Sequence, residues 1–65
     1  MTEKHILVVE SDQIRGKVTE LTLEEVGGYQ TTLAATPSEA IEVLRATRVD
    51  LILANTTLER HQDGV

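Results

Sequence analysis

Apolar residues along the chain fall into two uninterrupted runs and two helical stripes, separated by polar punctuation. Ile6-Leu7-Val8-Val9 shows no polar alternation, the pattern of a strand buried on both faces of a parallel sheet. It ends at Glu10-Ser11-Asp12, where Ser11 and Asp12 are both good helix N-caps, and helical spacing follows through Ile14, Val18 and Leu21. This predicts a helix over 13–26, stopped by Gly27-Gly28 because glycine takes the left-handed conformation without a Cβ penalty. Residues 29–35 are rich in threonine and only partly alternating, which fits an edge strand. Thr36-Pro37-Ser38-Glu39 opens a second helix: Thr36 caps, Pro37 takes the first helical position, where its missing N–H costs nothing, and Glu39 completes a capping box. That helix is predicted over 37–47, burying Ala40, Ile41, Val43 and Leu44. Leu51-Ile52-Leu53-Ala54 repeats the signature of a buried strand, here placed at 50–55, and residues 56–65 read as a polar loop.

The order β-α-β-α-β, with strands at 5–10, 29–35 and 50–55, describes a single α/β domain on a parallel sheet. Right-handed crossovers with strand one in the centre put one helix on each face and give the strand order 2-1-3. The loops after strands one and three then meet at the point where strand order reverses, the usual ligand crevice of open α/β sheets. Glu10, Ser11, Asp12 and Asn55 line it. One helix breaks the simple pattern. At about 100° per residue, Ile14, Val18 and Leu21 share the apolar side while Leu23 lies roughly opposite Ile14. Either the last turn frays, or Leu23 and Val26 form a second apolar surface used for self-association.

Composition narrows the picture further. The 65 residues include no cysteine, so disulfides and thiolate metal sites are excluded, and Tyr29 is the only aromatic. A core must come from Leu, Val, Ile and Ala, and a domain of about 60 residues buries only roughly 60% of its unfolded surface. A marginal monomer, or a chain completed by something else, is expected. Eleven Asp and Glu against six Lys and Arg give a net charge of -5, spread as -3 over residues 1–33 and -2 over the rest. That argues against direct binding to nucleic acid or an anionic membrane. No apolar stretch approaches the roughly 18 to 20 residues of a membrane span or resembles a signal peptide, so a cytoplasmic location is the expectation. Phosphate-binding glycine loops and nucleophile elbows are missing, and no enzymatic activity is expected. His5 and His61 lack ligand spacing and read as solvated loop residues, and Asn55-Thr56-Thr57 matches a glycosylation pattern that has no meaning without secretion.

Taken together, Ile6-Leu7-Val8-Val9-Glu10-Ser11-Asp12, Gly28-Tyr29, Ser38-Glu39-Ala40-Ile41, Val49-Asp50-Leu51-Ile52-Leu53-Ala54-Asn55, Leu58 and Asp63-Gly64 resemble the first half of a response-regulator receiver domain. These are flavodoxin-like domains of two-component signalling, and the likeness covers nearly the whole chain. It implies a truncated βαβαβ version of that fold. In the family, an acidic pair after strand one and an aspartate after strand three hold magnesium, and the last accepts a phosphoryl group from a histidine kinase. By position the acids correspond to Glu10 and Ser11, and the acceptor to Asn55. An amide nitrogen is no nucleophile for an acyl phosphate, and serine removes much of the attraction for a hard cation, although Asp12 offers a shifted ligand. Glu59 stands where the family often has proline, and the stretch from Asn55 to Gly64 is one residue longer than usual.

The resemblance therefore implies a pseudo-receiver working through protein contacts, with no cofactor beyond weak magnesium binding at Glu10 and Asp12. The family's second half, with its phosphate-reading Ser or Thr and Lys, has no counterpart in these residues. Two alternatives stand beside this reading: a magnesium-dependent phospho-acceptor whose aspartate was replaced by Asn55 and whose C-terminal half is missing, and a purely structural dimerisation module. The apolar third strand would be left as an open edge, which calls for a protein partner: a signalling protein, the remaining half of a receiver, or a second copy meeting Leu51, Ile52 and Leu53, or Leu23 and Val26. A homo-oligomer is expected.

Overall fold

The computed structural model describes residues 4–54, organised as β1 (His5–Val9), α1 (Gln13–Gly27), β2 (Gln30–Ala34), α2 (Pro37–Ala46) and β3 (Leu51–Ala54). The three strands form one parallel sheet in the order β2-β1-β3. Ile6 lies level with Thr31 and Leu51, and Val8 with Leu33 and Leu53. Because side chains alternate across a strand, these six residues share one face of the sheet, and Leu7, Val9, Thr32, Ala34 and Ile52 share the other. The first face receives α1, whose Gly16 lies against Leu33. On the second, α2 brings Ala40 and Val43 onto the core of Leu7 and Ala34. The chain is thus the α/β unit expected, with the order 2-1-3 and one helix on each face.

Both helices start where their caps direct. Asp12, not Ser11, caps α1, its Oδ1 accepting the N–H groups of Ile14 and Arg15 at 2.9 and 3.1 Å. Gly28, at φ 70°, closes it with N–H bonds back to Glu24, and Tyr29 N–H reaches the Leu23 carbonyl at 3.3 Å. Thr36 Oγ1 accepts from Glu39 N–H at 3.1 Å, while the Glu39 carboxylate reaches one residue further than a standard capping box, to Ala35 N–H at 2.9 Å.

The rotation of α1 differs from the hydrophobic pattern. Ile14, Val18 and Leu21 point away from the sheet and are 77%, 57% and 48% exposed, whereas Gly16 and Glu20 are buried and Leu23 is half-buried. Two interactions set this rotation. A Cβ at Gly16 would sit 2.6 Å from a terminal methyl of Leu33, so glycine allows an approach that a methyl accommodates only by shifting the end of Leu33 and that larger side chains obstruct. The Glu20 carboxylate accepts from the Thr31 hydroxyl at 3.1 Å and has the Lys17 ammonium 3.7 Å away. A carboxylate partnered in this way tolerates burial that would otherwise be costly. On α2, Ala40 is buried and Val43 half-buried, but Ile41 and Leu44 remain exposed, against expectation.

β3 is likewise exposed along its whole length rather than buried. Among the described residues neither helix touches it. A helix about 10 Å across covers two strands spaced about 4.8 Å apart, and both helices lie over β1 and β2. The third strand is held by its ladder to β1 and by a reciprocal clasp at its base. His5 N–H donates to Asp50 Oδ2 at 2.8 Å and Asp50 N–H donates to the His5 carbonyl at 2.8 Å. His5 is the first residue of β1 rather than a solvated loop residue, and its Nε2 lies 2.7 Å from Thr32 Oγ1.

The clasp holds the Asp50 carboxyl below the ordinary carboxylate range, chiefly through the His5 N–H, with smaller help from Lys4 and Arg48 against a partial desolvation. A lowered folded value means that the clasp's contribution is present above about pH 3.9, the unfolded value, and fades as pH falls through the folded one. Denaturant midpoints of the wild type and Asp50→Asn should therefore differ near neutrality and converge in acid. A difference independent of pH would remove the clasp from the account. For Gly16, substitution by alanine should be nearly neutral in the same assay. The helix gains about 1 kcal/mol, and only the end of the Leu33 side chain must give way. Gly16→Leu should cost about 1–3 kcal/mol.

Candidate functional site

At the C-terminal end of the central strand the chain turns through Glu10, Ser11 and Asp12. Glu10 N–H extends the β1–β2 ladder by donating to the Ala34 carbonyl at 2.9 Å, which carries the side chain to the end of the sheet while keeping it buried. Its Oε2 accepts the Asp12 N–H at 3.0 Å. Asp12, extended at φ -87° and ψ 113°, caps α1 as described, and its carbonyl accepts the Gly16 N–H at 2.9 Å. Two carboxylates therefore stand at the positive end of a 15-residue helix, where the peptide dipoles favour negative charge. Ser11 and Asp12 are exposed.

The structure thus brings Glu10, Ser11 and Asp12 together at the reversal of strand order. Asn55, the fourth residue expected there, lies outside the described residues, as do Leu58, Glu59, His61 and the rest of 56–65. Among the described residues no three of His, Cys, Asp and Glu gather closely enough to hold a metal ion. Asp12 Oδ1 is committed to two backbone N–H groups and Ser11 brings no charge, so Glu10 and Asp12 alone do not make the anionic oxygen set that magnesium takes.

The residues expected to mediate self-association separate into two groups. Leu51, Ile52 and Leu53 are exposed on β3, and Val26 is exposed on the last turn of α1. Leu23 is half-buried and belongs to the sheet-facing side of the helix. It helps to line an open groove of about 510 Å³ beside α1, together with Ile6, Tyr29, Leu51 and Leu53, with Lys4 and Asp50 at the rim. Neither this groove nor the outward Ile14-Val18-Leu21 stripe was foreseen as a surface. The stripe was visible as periodicity, but periodicity shows that residues share a side, not which way that side faces.

No helix among the described residues is long and apolar enough to cross a membrane. Comparison with known proteins gave no match: no family model fits the chain, and no curated protein or solved structure matches it.

The Asp12 cap can be tested directly. Asp12→Ala should cost about 1 kcal/mol in urea unfolding, and Asp12→Asn, which keeps the accepting oxygen, only a fraction of that. Equal losses would show that charge, not capping, is what Asp12 contributes.

Proposed function

We propose that this chain is a receiver-like module of two-component signalling that acts through protein contacts rather than through an aspartyl phosphate. The observation that carries this reading is the placement of a buried Glu10 carboxylate at the end of the central strand of a 2-1-3 parallel sheet. Ser11 and Asp12 follow it, and Asn55 comes directly after β3 in sequence. A receiver of this kind needs anionic oxygens at three positions to bind magnesium and a carboxylate nucleophile to accept phosphate. Serine and asparagine supply neither. What remains is a scaffold whose broad apolar surfaces suit binding, working in the cytoplasm as receivers do. The exposure of β3 and of the outer side of α1 also favours a second reading, a structural dimerisation module with no signalling role.

Restoring the missing acids tests the first reading. The double variant Ser11→Asp/Asn55→Asp should gain a magnesium-dependent rise in melting temperature that the wild type lacks, because binding to the folded state alone stabilises it. If the double variant is indifferent to magnesium, the crevice is not a degenerate receiver site and the reading falls.

A further inference from the structure

The two edges of the sheet are not alike. Gln30 N–H donates to the Lys4 carbonyl and Glu10 N–H to the Ala34 carbonyl, each at 2.9 Å, so the even-numbered residues of β1 turn their backbone groups to β2. Successive residues of a strand point these groups to opposite sides, and His5, Leu7 and Val9 therefore turn theirs to β3. In a parallel pair a residue bonds to the two neighbours of the residue level with it. Leu7 is level with Ile52, so Leu51 and Leu53 bond to β1, while Ile52 and Ala54 direct their N–H and C=O outward. Among the described residues no hydrogen bond occupies these outward groups. On β2 the outward N–H groups include those of Tyr29 and Ala35. The Leu23 carbonyl holds the first and Glu39 Oε1 the second, so that edge is engaged at both ends.

We propose that β3 pairs antiparallel with β3 of a second copy, about a twofold axis that passes between the two Leu53 residues and stands normal to the sheet. Two three-stranded sheets then become one continuous sheet. The inference rests on the dimerisation reading and supplies its interface.

Three properties of the strand favour its own copy as the occupant. The first is direction. In this register Ile52 lies opposite Ala54 of the second copy, and the twofold repeats the match, so that each outward residue exchanges both of its bonds with another outward residue. Moving the axis to Ile52 would set Ala54 opposite Asp50, whose N–H is already committed to the His5 carbonyl. The second is side-chain chemistry. Like faces stay together, with Leu53 against Leu53 on the α1 side and the branched Ile52 against the small Ala54 on the α2 side. Leu53 and Ile52 are 41% and 49% exposed in the single chain, and neither helix touches β3. The third is charge. Each copy carries a net charge of -5, yet Leu51–Ala54 is uncharged, and this register holds the two Asp50 residues about 20 Å apart. Pairing β3 with the β2 edge of another copy would be head-to-tail and would leave a free edge at each end, whereas the β3 pair closes on itself. Edge pairing covers on the order of a few hundred Å² per copy, less than the roughly 800 Å² per partner of a stable interface, so the dimer is weak.

Sedimentation equilibrium of the full chain, from micromolar to millimolar concentration, should show a monomer at the low end and a dimer at the high end. Ala54→Pro removes an outward donor without touching the ladder to β1 and should weaken association at least tenfold with unchanged far-UV circular dichroism. The register is read by single cysteines, since the chain has none of its own. Across the axis the Leu53 Cα atoms are about 4.5 Å apart, within disulfide reach, whereas the Ile52 Cα atoms are offset by two residues and about 8.5 Å apart, beyond the roughly 7 Å limit. Under mild oxidation Leu53→Cys should cross-link at least tenfold faster than Ile52→Cys. Both cysteine variants keep every backbone donor, so this comparison decides the matter if Ala54→Pro fails to fold. A chain monomeric at every concentration overturns the proposal and the dimerisation reading together. A dimer in which Ile52→Cys cross-links as fast as Leu53→Cys, or which a folded Ala54→Pro leaves unchanged, overturns the β3 pairing and leaves the dimerisation reading standing. The magnesium response of the acid-restored variant tests the receiver reading separately.

Discussion

The two-sided burial of β1 is the constraint on which the rest of the structure depends. Leu7 is fully buried under α2 and Val8 nearly so under α1, and every other strand is defined by its register with this one. Fully burying a side chain of this kind contributes about 1.5–3 kcal/mol. A chain of this size has only about 3–10 kcal/mol of net stability in total. A few residues of the central strand therefore account for much of the margin, and β2, β3 and both helices are arranged around them.

Around that strand, polar contacts settle what apolar packing leaves open. The side of α1 that meets the sheet has little to bury beyond Leu23, and its rotation is set by Gly16 meeting Leu33 and by the Thr31 hydroxyl, which lies 3.1 Å from Glu20 Oε2 and 2.6 Å from Glu24 Oε2. A hydroxyl has one proton to donate, so it satisfies one carboxylate at a time and can alternate between them. At the opposite edge of the sheet the His5–Asp50 clasp does for β3 what packing does for β2.

Much of this was legible in the sequence, and the failures have a common cause. The uninterrupted run at Ile6–Val9 marked the central strand, Thr36-Pro37 and Gly27-Gly28 marked helix ends, and chain connectivity with right-handed crossovers gave the sheet order. Each of these is a local signal or a topological rule. What was missed depends on which neighbour a residue meets. The face of α1 follows from Gly16 meeting Leu33 and Glu20 meeting Thr31, and the exposure of Ile41, Leu44 and β3 from how little of the sheet the described elements cover; periodicity encodes neither. His5 fell within the predicted strand, but it was read as solvated because its partners, Asp50 and Thr32, are 45 and 27 residues away. Of the candidate crevice, the order Glu10-Ser11-Asp12 was readable, and the division of labour between Glu10, which accepts the Asp12 N–H, and Asp12, which caps α1, was not.

The bareness of β3 also bears on how the molecule opens. Cooperative units that exchange with solvent most readily are those with few buried apolar contacts, and among the described residues β3 is held by its ladder to β1, the clasp at its base and the packing of Val49 just before it on the core. β1, α1, β2 and α2 form a continuous unit through Leu7, Ala34 and the Gly16–Leu33 approach, and that unit keeps its contacts when β3 lifts away. The fold is accordingly a β-α-β-α body to which the third strand is joined mainly through its backbone, and the backbone groups of β1 on that side are the ones that a competing strand would find first.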